Sequence, residues 1–301
     1  MSEYSRSFSF RPAVGPPGAF FPIFIGIKET ARIPGHALIP LGMAKKHLGQ
    51  NFLYDPSVLT RIIDAAELSR SDTVVEIGPG PGRLTRLLAD TVDKVIAIEL
   101  DQDLYERLRA DLIGYRNVEL VHGDALKFRY ESVGTFKVVA NIPYYITTPI
   151  IFRLLEAREN LESMTLTIQK EVAERIAASP GGKDYGVLTI MVRYYALSEM
   201  KFIIPKESFR PEPKVDSAVL HMRILKRPAV DVKDEEMFFR VVRTAFSQRR
   251  KTLSNSLRGL GENIKEVLAS AGIDPARRPE TLSLEEFAGL ADSLLKFQNK
   301  L

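Results

Sequence analysis

Cysteine is absent from all 301 residues of the chain. The protein therefore has no disulfide bond, no thiolate metal site and no cysteine nucleophile. Histidine is almost as scarce, and its four residues show none of the spacings typical of a metal site: His36, His47, His122 and His221. The sequence predicts a function that needs no metal ion bound by the chain.

A long hydrophobic run is also missing. The apolar stretch at residues 19–27 is short and is broken by Pro22, so it cannot span a bilayer. It lies in residues 1–42, which are rich in Pro, Gly, Phe and Ser and have no helical or strand period. We interpret residues 1–42 as a flexible extension or as the result of a start codon assigned too early. A targeting peptide is the alternative, although no small-residue cleavage site follows.

The charge is unevenly distributed. Residues 43–158 carry 15 Lys and Arg against 16 Asp and Glu, whereas residues 199–258 carry 14 against 8. A basic segment beside a near-neutral one indicates a polyanionic partner. A solvated charged surface would explain the charge distribution equally well.

Strand and helix patterns alternate after a helix start at Asp55-Pro56. The predicted strands are 73–77, 94–100, 118–121, 136–140, 164–168 and 187–195, and helices are predicted at 82–89, 101–112 and from 149 to 155. This alternation predicts an α/β fold, a doubly wound parallel sheet with helices on both faces. We assign it to a catalytic domain at residues 43–225.

The pattern becomes helical after Leu225. Helices are predicted at 235–246, 252–257, 264–271 and 284–297. We assign residues 226–301 to a small all-α domain, joined to the first by a linker at Lys226-Arg227-Pro228.

A glycine-rich turn joins the first predicted strand to a helix: Gly78-Pro79-Gly80-Pro81-Gly82. Such a turn lets a ligand approach the backbone at the carboxyl edge of a sheet. The glycine spacing is G-x-G-x-G, whereas a dinucleotide fingerprint has its third glycine one residue further on. The two prolines also remove N–H donors that a pyrophosphate would need. S-adenosylmethionine carries no phosphate, so the loop favours it over NAD.

Two carboxylates follow the next strands of the predicted sheet. Glu99 ends the second strand, where it can accept hydrogen bonds from both ribose hydroxyls of an adenosine. Asp124, followed by Ala125, comes after the third strand and is placed to accept from the adenine amine of the cofactor. The alternative is that Glu99 and Asp124 are solvated acidic residues in loops with no ligand.

The fourth strand ends in Asn141-Ile142-Pro143-Tyr144. The amine of adenine is a poor nucleophile because its lone pair is conjugated with the ring, and a site that methylates it must hold the amine as its nitrogen becomes tetrahedral. The Asn141 side-chain oxygen and a backbone carbonyl near Ile142 or Pro143 could do so, with proline stiffening the turn. Tyr144 offers a face for stacking the base. Alone, this segment would be read as an Asx-type turn with a packed tyrosine.

Together these segments resemble the ribosomal RNA adenine dimethyltransferases. The match rests on Gln50-Asn51-Phe52-Leu53, Glu76-Ile77-Gly78-Pro79-Gly80, Asn141-Ile142-Pro143-Tyr144 and the segments 208–217 (SFRPEPKVDS) and 245–253 (AFSQRRKTL). The last segment is similar to the branch that acts on the small subunit, and the antibiotic-resistance branch of the large subunit usually lacks it. The resemblance covers about residues 45–297.

The resemblance implies a class I methyltransferase with a Rossmann-like fold that uses S-adenosylmethionine. It implies dimethylation of two adjacent adenosines near the 3′ end of small-subunit ribosomal RNA, within an immature subunit, by a cytoplasmic monomer that needs no membrane or metal. The implied cofactor-binding residues are Gln50, Asn51, Leu53, Gly78, Gly80, Glu99, Asp124, Ala125 and Asn141. Phe209 would oppose Tyr144 across the target adenine. We expect RNA contacts at Lys214, Arg249, Arg250 and Lys251.

Two other functions fit parts of the pattern. A DNA adenine or cytosine amino-methyltransferase could share the Asn141–Tyr144 loop, but would need a larger domain for reading base pairs. A non-catalytic ribosome-assembly or transcription factor could keep the scaffold and lose cofactor residues. The complete set from Gly78 to Tyr144 favours catalysis.

Overall fold

The computed structural model of the protein describes residues 50–298, so the expectation for residues 1–42 lies outside the described residues. The strands are β1 (Phe52–Leu53), β2 (Thr73–Ile77), β3 (Lys94–Glu99), β4 (Val118–His122), β5 (Phe136–Asn141), β6 (Leu161–Gln169), β7 (Ala196–Ile204), β8 (Phe209–Arg210) and β9 (Ser217–Ile224). The helices are α1 (Pro56–Ala65), α2 (Arg83–Thr91), α3 (Gln102–Asp111), α4 (Thr147–Glu156), α5 (Lys170–Ala177), α6 (Val187–Tyr195), α7 (Glu235–Phe246), α8 (Leu253–Ser256), α9 (Ile264–Ser270) and α10 (Leu284–Gln298).

The first helix begins where the sequence predicts. Asp55 is the N-cap of α1, its carboxylate accepts a hydrogen bond from the backbone N–H of Ser57, and Pro56 occupies the first turn. Asp101 caps α3 in the same way, through the N–H of Asp103. Both caps lie just before helices that cover the sheet, so local sequence signals set where these helices start.

Seven strands form one sheet in the order β4-β3-β2-β5-β6-β9-β7. The first five are parallel, as predicted, and their carboxyl ends share one edge. The prediction of a wholly parallel sheet is wrong at β9, which runs antiparallel to both of its neighbours, β6 and β7. Antiparallel neighbours need no crossover helix, so no helical period in the sequence marks this reversed strand.

The strand predicted at residues 187–195 is the helix α6, which is a second correction. Its side chains are buried on nearly every side, and Tyr194 stacks on Phe238 of α7 with ring centroids 4.9 Å apart. A helix buried all round shows no polar face, so its run of apolar residues cannot be distinguished from a buried strand by periodicity.

The helical C-terminal region is confirmed. Helix α7 has the predicted bounds, and α8, α9 and α10 lie within two residues of theirs. Phe246 at the end of α7 packs against Phe287 of α10, with centroids 5.9 Å apart. Within residues 50–298, none of the helices combines the length and the apolar character that crossing a membrane requires.

One apolar cluster positions the start of the described chain. It joins β1, β8, α1 and α2 to the sheet and includes Leu53, Leu59, Ile62, Leu84 and Phe209. β1 and β8 pair antiparallel, with Leu53 opposite Phe209. Because burial of this cluster anchors β1, the residues beside it are held against the carboxyl edge of the parallel strands.

Candidate active site

A cavity opens at the carboxyl ends of β2, β3, β4 and β5. Its empty space, which includes the open mouth, is about 780 Å³. The structure brings most of the predicted site residues together in its lining: Gln50, Asn51, Gly78, Gly80, Glu99, Asp124, Ala125, Asn141, Ile142, Pro143 and Tyr144.

The glycine-rich loop has no N–H group left for a phosphate. Gly78 donates to the carbonyl of Ile98 (3.0 Å), Gly82 donates to the carbonyl of Pro79 (3.0 Å), and Gly80 donates to Glu99 (3.2 Å). The two prolines of the loop have no N–H. A pyrophosphate would find no backbone donor here, whereas a ligand without phosphate loses nothing.

The loop also needs glycine for steric reasons. Gly80 has φ +57°, and a Cβ at this position would lie 2.8 Å from ring carbons of Phe52. Gly82 has φ +73°, and its Cβ would lie 2.5 Å from a methyl group of Leu108. Left-handed backbone and close neighbours together require glycine at both positions. The loop therefore packs tightly between β1 and α3 beneath the cavity.

Glu99 is a buried carboxylate with both oxygens fixed. It is only 5% exposed, Oε2 accepts from Gly80 N–H, and Oε1 accepts from Asp101 N–H at 2.9 Å. Burial raises the pKa of Glu99, and the two backbone N–H groups oppose that rise. Each oxygen keeps a lone pair for a ligand, so the carboxylate can accept two hydroxyl groups at once.

Asp124 lies across the cavity after β4. Its Oδ1 accepts a hydrogen bond from the backbone N–H of Leu126 at 2.9 Å, which fixes the carboxylate in the turn. The turn itself is tied to β3, since Gly123 N–H donates to the carbonyl of Glu99 at 2.9 Å. Two carboxylates thus face one cavity from adjacent strand ends, as an adenosine with ribose hydroxyls and an amine would require.

The side chain of Asn141 has a defined orientation. Its Nδ2 donates to the backbone carbonyl of Asn51 at 2.9 Å. A carbonyl can only accept, so the amide nitrogen must face Asn51 and the Oδ1 acceptor is turned away from it. Asn141 lines the cavity, and its side-chain oxygen is available to accept a hydrogen bond from a ligand.

The backbone carbonyls of Ile142 and Pro143, which follow Asn141, differ in their hydrogen bonds. Ile142 N–H continues the sheet by donating to Thr167 at 3.1 Å, and the carbonyl of Pro143 accepts from Ile146 N–H at 3.1 Å. Among residues 50–298, no backbone N–H outside the helices and strands donates to the carbonyl of Ile142. Of the two carbonyls that the sequence left open, Ile142 is therefore the better candidate to accept from a ligand.

Tyr144 is held at the cavity wall by its hydroxyl group. The hydroxyl lies 2.8 Å from Oγ of Ser217, the fully buried first residue of β9. Burial raises the pKa of Tyr144, so the phenol stays neutral and hydrogen-bonded. The ring is therefore fixed in one orientation.

The structure does not bring Leu53 and Phe209 into the cavity. Phe209 is 0% exposed in the apolar cluster, and Leu53 packs beside it. Because side chains alternate along a strand, Phe52 points to the opposite side from Leu53 and lines the cavity instead. Sequence reasoning missed Phe52, although the alternation within the quoted segment could have shown it. It also missed Tyr145, which follows Tyr144 and lines the same cavity.

The four basic residues assigned to RNA lie outside this cavity. Lys214, Arg250 and Lys251 are exposed, the last two in the turn between α7 and α8. Arg249 differs, because its guanidinium donates to the carbonyls of Lys183 (2.6 Å) and Tyr185 (2.9 Å). Arg249 thus ties this turn to the segment before α6.

A largely parallel sheet, a glycine-rich loop whose N–H groups are all used or missing, and two carboxylates that line one cavity define a class I methyltransferase, with S-adenosylmethionine as cofactor. Two solved structures have this architecture. A dimethyladenosine transferase from Plasmodium falciparum has a TM-score of 0.69 at 30% identity, covering 82% of this chain and 98% of that one. The 23S rRNA methyltransferase ErmE has a TM-score of 0.66 at 31% identity, covering 81% and 99%.

The particular family follows from the sequence comparisons. The family model for ribosomal RNA adenine dimethylases matches residues 42–296, and the chain belongs to that family. Proteins named ribosomal RNA small subunit methyltransferase A are similar to it. The one from Clostridium botulinum is 50% identical over 256 residues, covering 83% of this chain and 93% of the relative. The one from Moorella thermoacetica is 49% identical over 282 residues, covering 89% and 96%. The predicted family, fold class and cofactor are confirmed.

Proposed function

We propose that this protein transfers methyl groups from S-adenosylmethionine to the N6 amines of two adjacent adenosines near the 3′ end of small-subunit ribosomal RNA. The substrate is an immature small subunit in the cytoplasm, and the enzyme acts as a monomer without a metal ion. Residues 43–225 carry the chemistry, and residues 226–301 contribute RNA contacts. The orientation of the Asn141 amide is the observation that supports this chemistry most directly.

The cofactor fits the cavity through the residues already described. Glu99 accepts the ribose hydroxyls, Asp124 accepts from the adenine amine, and the backbone of Gly78 and Gly80 forms the floor. When bound, S-adenosylmethionine supplies an electrophilic methyl group. No phosphate has to be accommodated, which agrees with a loop whose N–H groups are all used or missing.

Two acceptors hold the target amine. An adenine amine has two N–H groups, and the Oδ1 of Asn141 and the carbonyl of Ile142 each take one. These contacts strengthen as the nitrogen becomes tetrahedral, so they stabilise the transition state more than the ground state. A general base is not needed, since the methylated amine can release its proton to water. Pro143 keeps both acceptors in place by restricting the turn.

Tyr144 supports the base that carries this amine. A flipped adenine stacks on its ring, and the hydrogen bond to Ser217 fixes the ring plane. The family pattern places an opposing aromatic at Phe209, whose ring is buried in the cluster beside Leu53. We therefore assign stacking to Tyr144 alone in this conformation.

The degree of sequence identity to named relatives supports the small subunit, rather than the large subunit, as the substrate. Relatives named for the small subunit are about 50% identical, whereas the 23S rRNA methyltransferase is 31% identical. The exposed pair Arg250 and Lys251 lies in the segment typical of the small-subunit branch. The non-catalytic alternative is disfavoured because Gly80, Glu99 and Asn141 are all present and in contact with the cavity.

Asn141→Ala tests the proposal. Losing one preorganised partner of the transition state slows turnover about 10²–10³-fold. RNA affinity should change little, because it depends mostly on phosphate contacts spread over the basic surface. Single-turnover methylation at saturating cofactor and a small-subunit binding assay measure the two effects separately. A variant that binds normally and methylates at near the wild-type rate would exclude the role assigned to this loop.

A further inference from the structure

Tyr145 is a large aromatic side chain at the mouth of the cavity that the chemistry above does not use. It follows Tyr144 in the short 3₁₀ turn Tyr144–Ile146 and is 50% exposed. A single exposed aromatic residue is ordinary on a protein surface, so its position at the cavity is what makes it informative. Tyr145 lines the cavity, so a ligand in the cavity can cover it.

The two neighbouring tyrosines face different groups. Tyr144 is tied by its hydroxyl to Ser217 of β9, on the side of the catalytic loop. Tyr145 lies within electrostatic reach of Asp124 and Glu99, and burial together with these two carboxylates raises its pKa. These are the residues assigned to the amine and the ribose of the cofactor. Tyr145, Glu99 and Asp124 line the same cavity, so Tyr145 lies on the side of the cavity that is assigned to adenosine.

We infer that Tyr145 is a cofactor-positioning residue whose ring closes over the adenosine half of S-adenosylmethionine or its product. This inference rests on the placement of the cofactor described above. The short 3₁₀ turn places the apolar face of the ring at the mouth of the cavity, where it can cover a bound nucleoside. On this inference the ring of Tyr145 contributes most of the binding energy, and its hydroxyl group contributes little. Tyr144 then contacts the target base, and Tyr145 contacts the cofactor.

Calorimetric titration of the whole chain with S-adenosylhomocysteine and with 5′-methylthioadenosine, which lacks the amino-acid end, tests the inference. Tyr145→Ala should weaken both ligands about 5- to 20-fold, the lower part of the range for loss of base stacking. Tyr145→Phe should bind like the wild type. Ile113→Ala, at an exposed position outside the cavity, should leave both affinities unchanged.

A second readout does not depend on affinity. The chain has no tryptophan, so Tyr145→Trp introduces the only indole. Its fluorescence should change saturably with S-adenosylhomocysteine. Ile113→Trp is the matched control, since Ile113 is 88% exposed and does not line the cavity, and its emission should stay constant.

Two results would overturn the inference while leaving the cofactor assignment intact. One is wild-type affinity in Tyr145→Ala together with a constant signal in Tyr145→Trp. The other is a loss confined to S-adenosylhomocysteine, which would place Tyr145 at the amino-acid end. Failure of the wild-type protein to bind either ligand would instead refute the cofactor assignment, and the inference with it.

Discussion

Glu99 carries the strongest prediction about cofactor binding. Replacing it by Gln keeps the size of the side chain but removes the charge and one of the two acceptor oxygens that face the cavity. Losing a charged acceptor for a hydroxyl costs about 1–3 kcal/mol. The dissociation constant for S-adenosylmethionine should therefore rise about 5- to 150-fold. Isothermal titration calorimetry on the isolated enzyme measures this change directly.

The structure shows why Gln is a better substitution than Ala. The Glu99 oxygens also accept the N–H groups of Gly80 and Asp101, so Ala leaves both buried donors without partners, whereas the Gln oxygen still accepts one of them and only the other faces an NH₂ group. A thermal melt of the Gln variant checks that the loop remains folded. Unchanged cofactor affinity in a normally folded Gln variant would refute the ribose assignment.

The same carboxylate predicts a pH dependence. Burial raises the pKa of Glu99 above that of an ordinary glutamate. The ionised form is the better acceptor, so cofactor affinity should fall on acidification, and the fall should begin above the pH range in which an ordinary glutamate titrates, near about pH 4.3. The Gln variant should show no such fall. Equal pH profiles for both proteins would contradict the assignment.

Four further changes have defined outcomes. Gly80→Ala should destabilise the fold by about 1–3 kcal/mol, because its left-handed φ and a nearby aromatic ring leave no room for Cβ; an unchanged urea midpoint would contradict this. Burial raises the pKa of Glu76 to about 8, so wild-type stability should fall as pH rises from about 4.5 to 8, by a few kcal/mol at most. Denaturation at several pH values should show no such fall in Glu76→Gln. Joint replacement of Arg250 and Lys251 by Ala should reduce the slope of log affinity for RNA against log salt concentration by about 1 to 2, without lowering the melting temperature. Arg249→Ala should instead lower the melting temperature. The reverse pattern would contradict both predictions.

The sequence predicts best where the signals are local. The caps of α1 and α3, the strands that lead to the glycine loop and the helix α7 depend on neighbours a few residues away. Most residues of the cavity can also be predicted from the sequence, because the carboxyl ends of successive parallel strands must meet at one edge of the sheet.

Other features depend on contacts between distant segments. Helix α6 is apolar because α5, α7, α10 and β7 surround it, and no periodicity in the sequence reveals that packing. The side on which Phe52 and Leu53 lie depends on the pairing of β1 with β8, some 150 residues later. Likewise, only the folded chain shows that the guanidinium of Arg249 meets the carbonyls of Lys183 and Tyr185.

The most direct test of the central claim is the identity of the methylated product. Purified enzyme and labelled S-adenosylmethionine should be incubated with immature small subunits, large subunits, naked ribosomal RNA and a DNA duplex, followed by mass spectrometry of the nucleosides. The account predicts N6,N6-dimethyladenosine at two adjacent positions near the 3′ end of small-subunit RNA. Label appearing mainly in large-subunit RNA or DNA, or no transfer to any substrate, would contradict it.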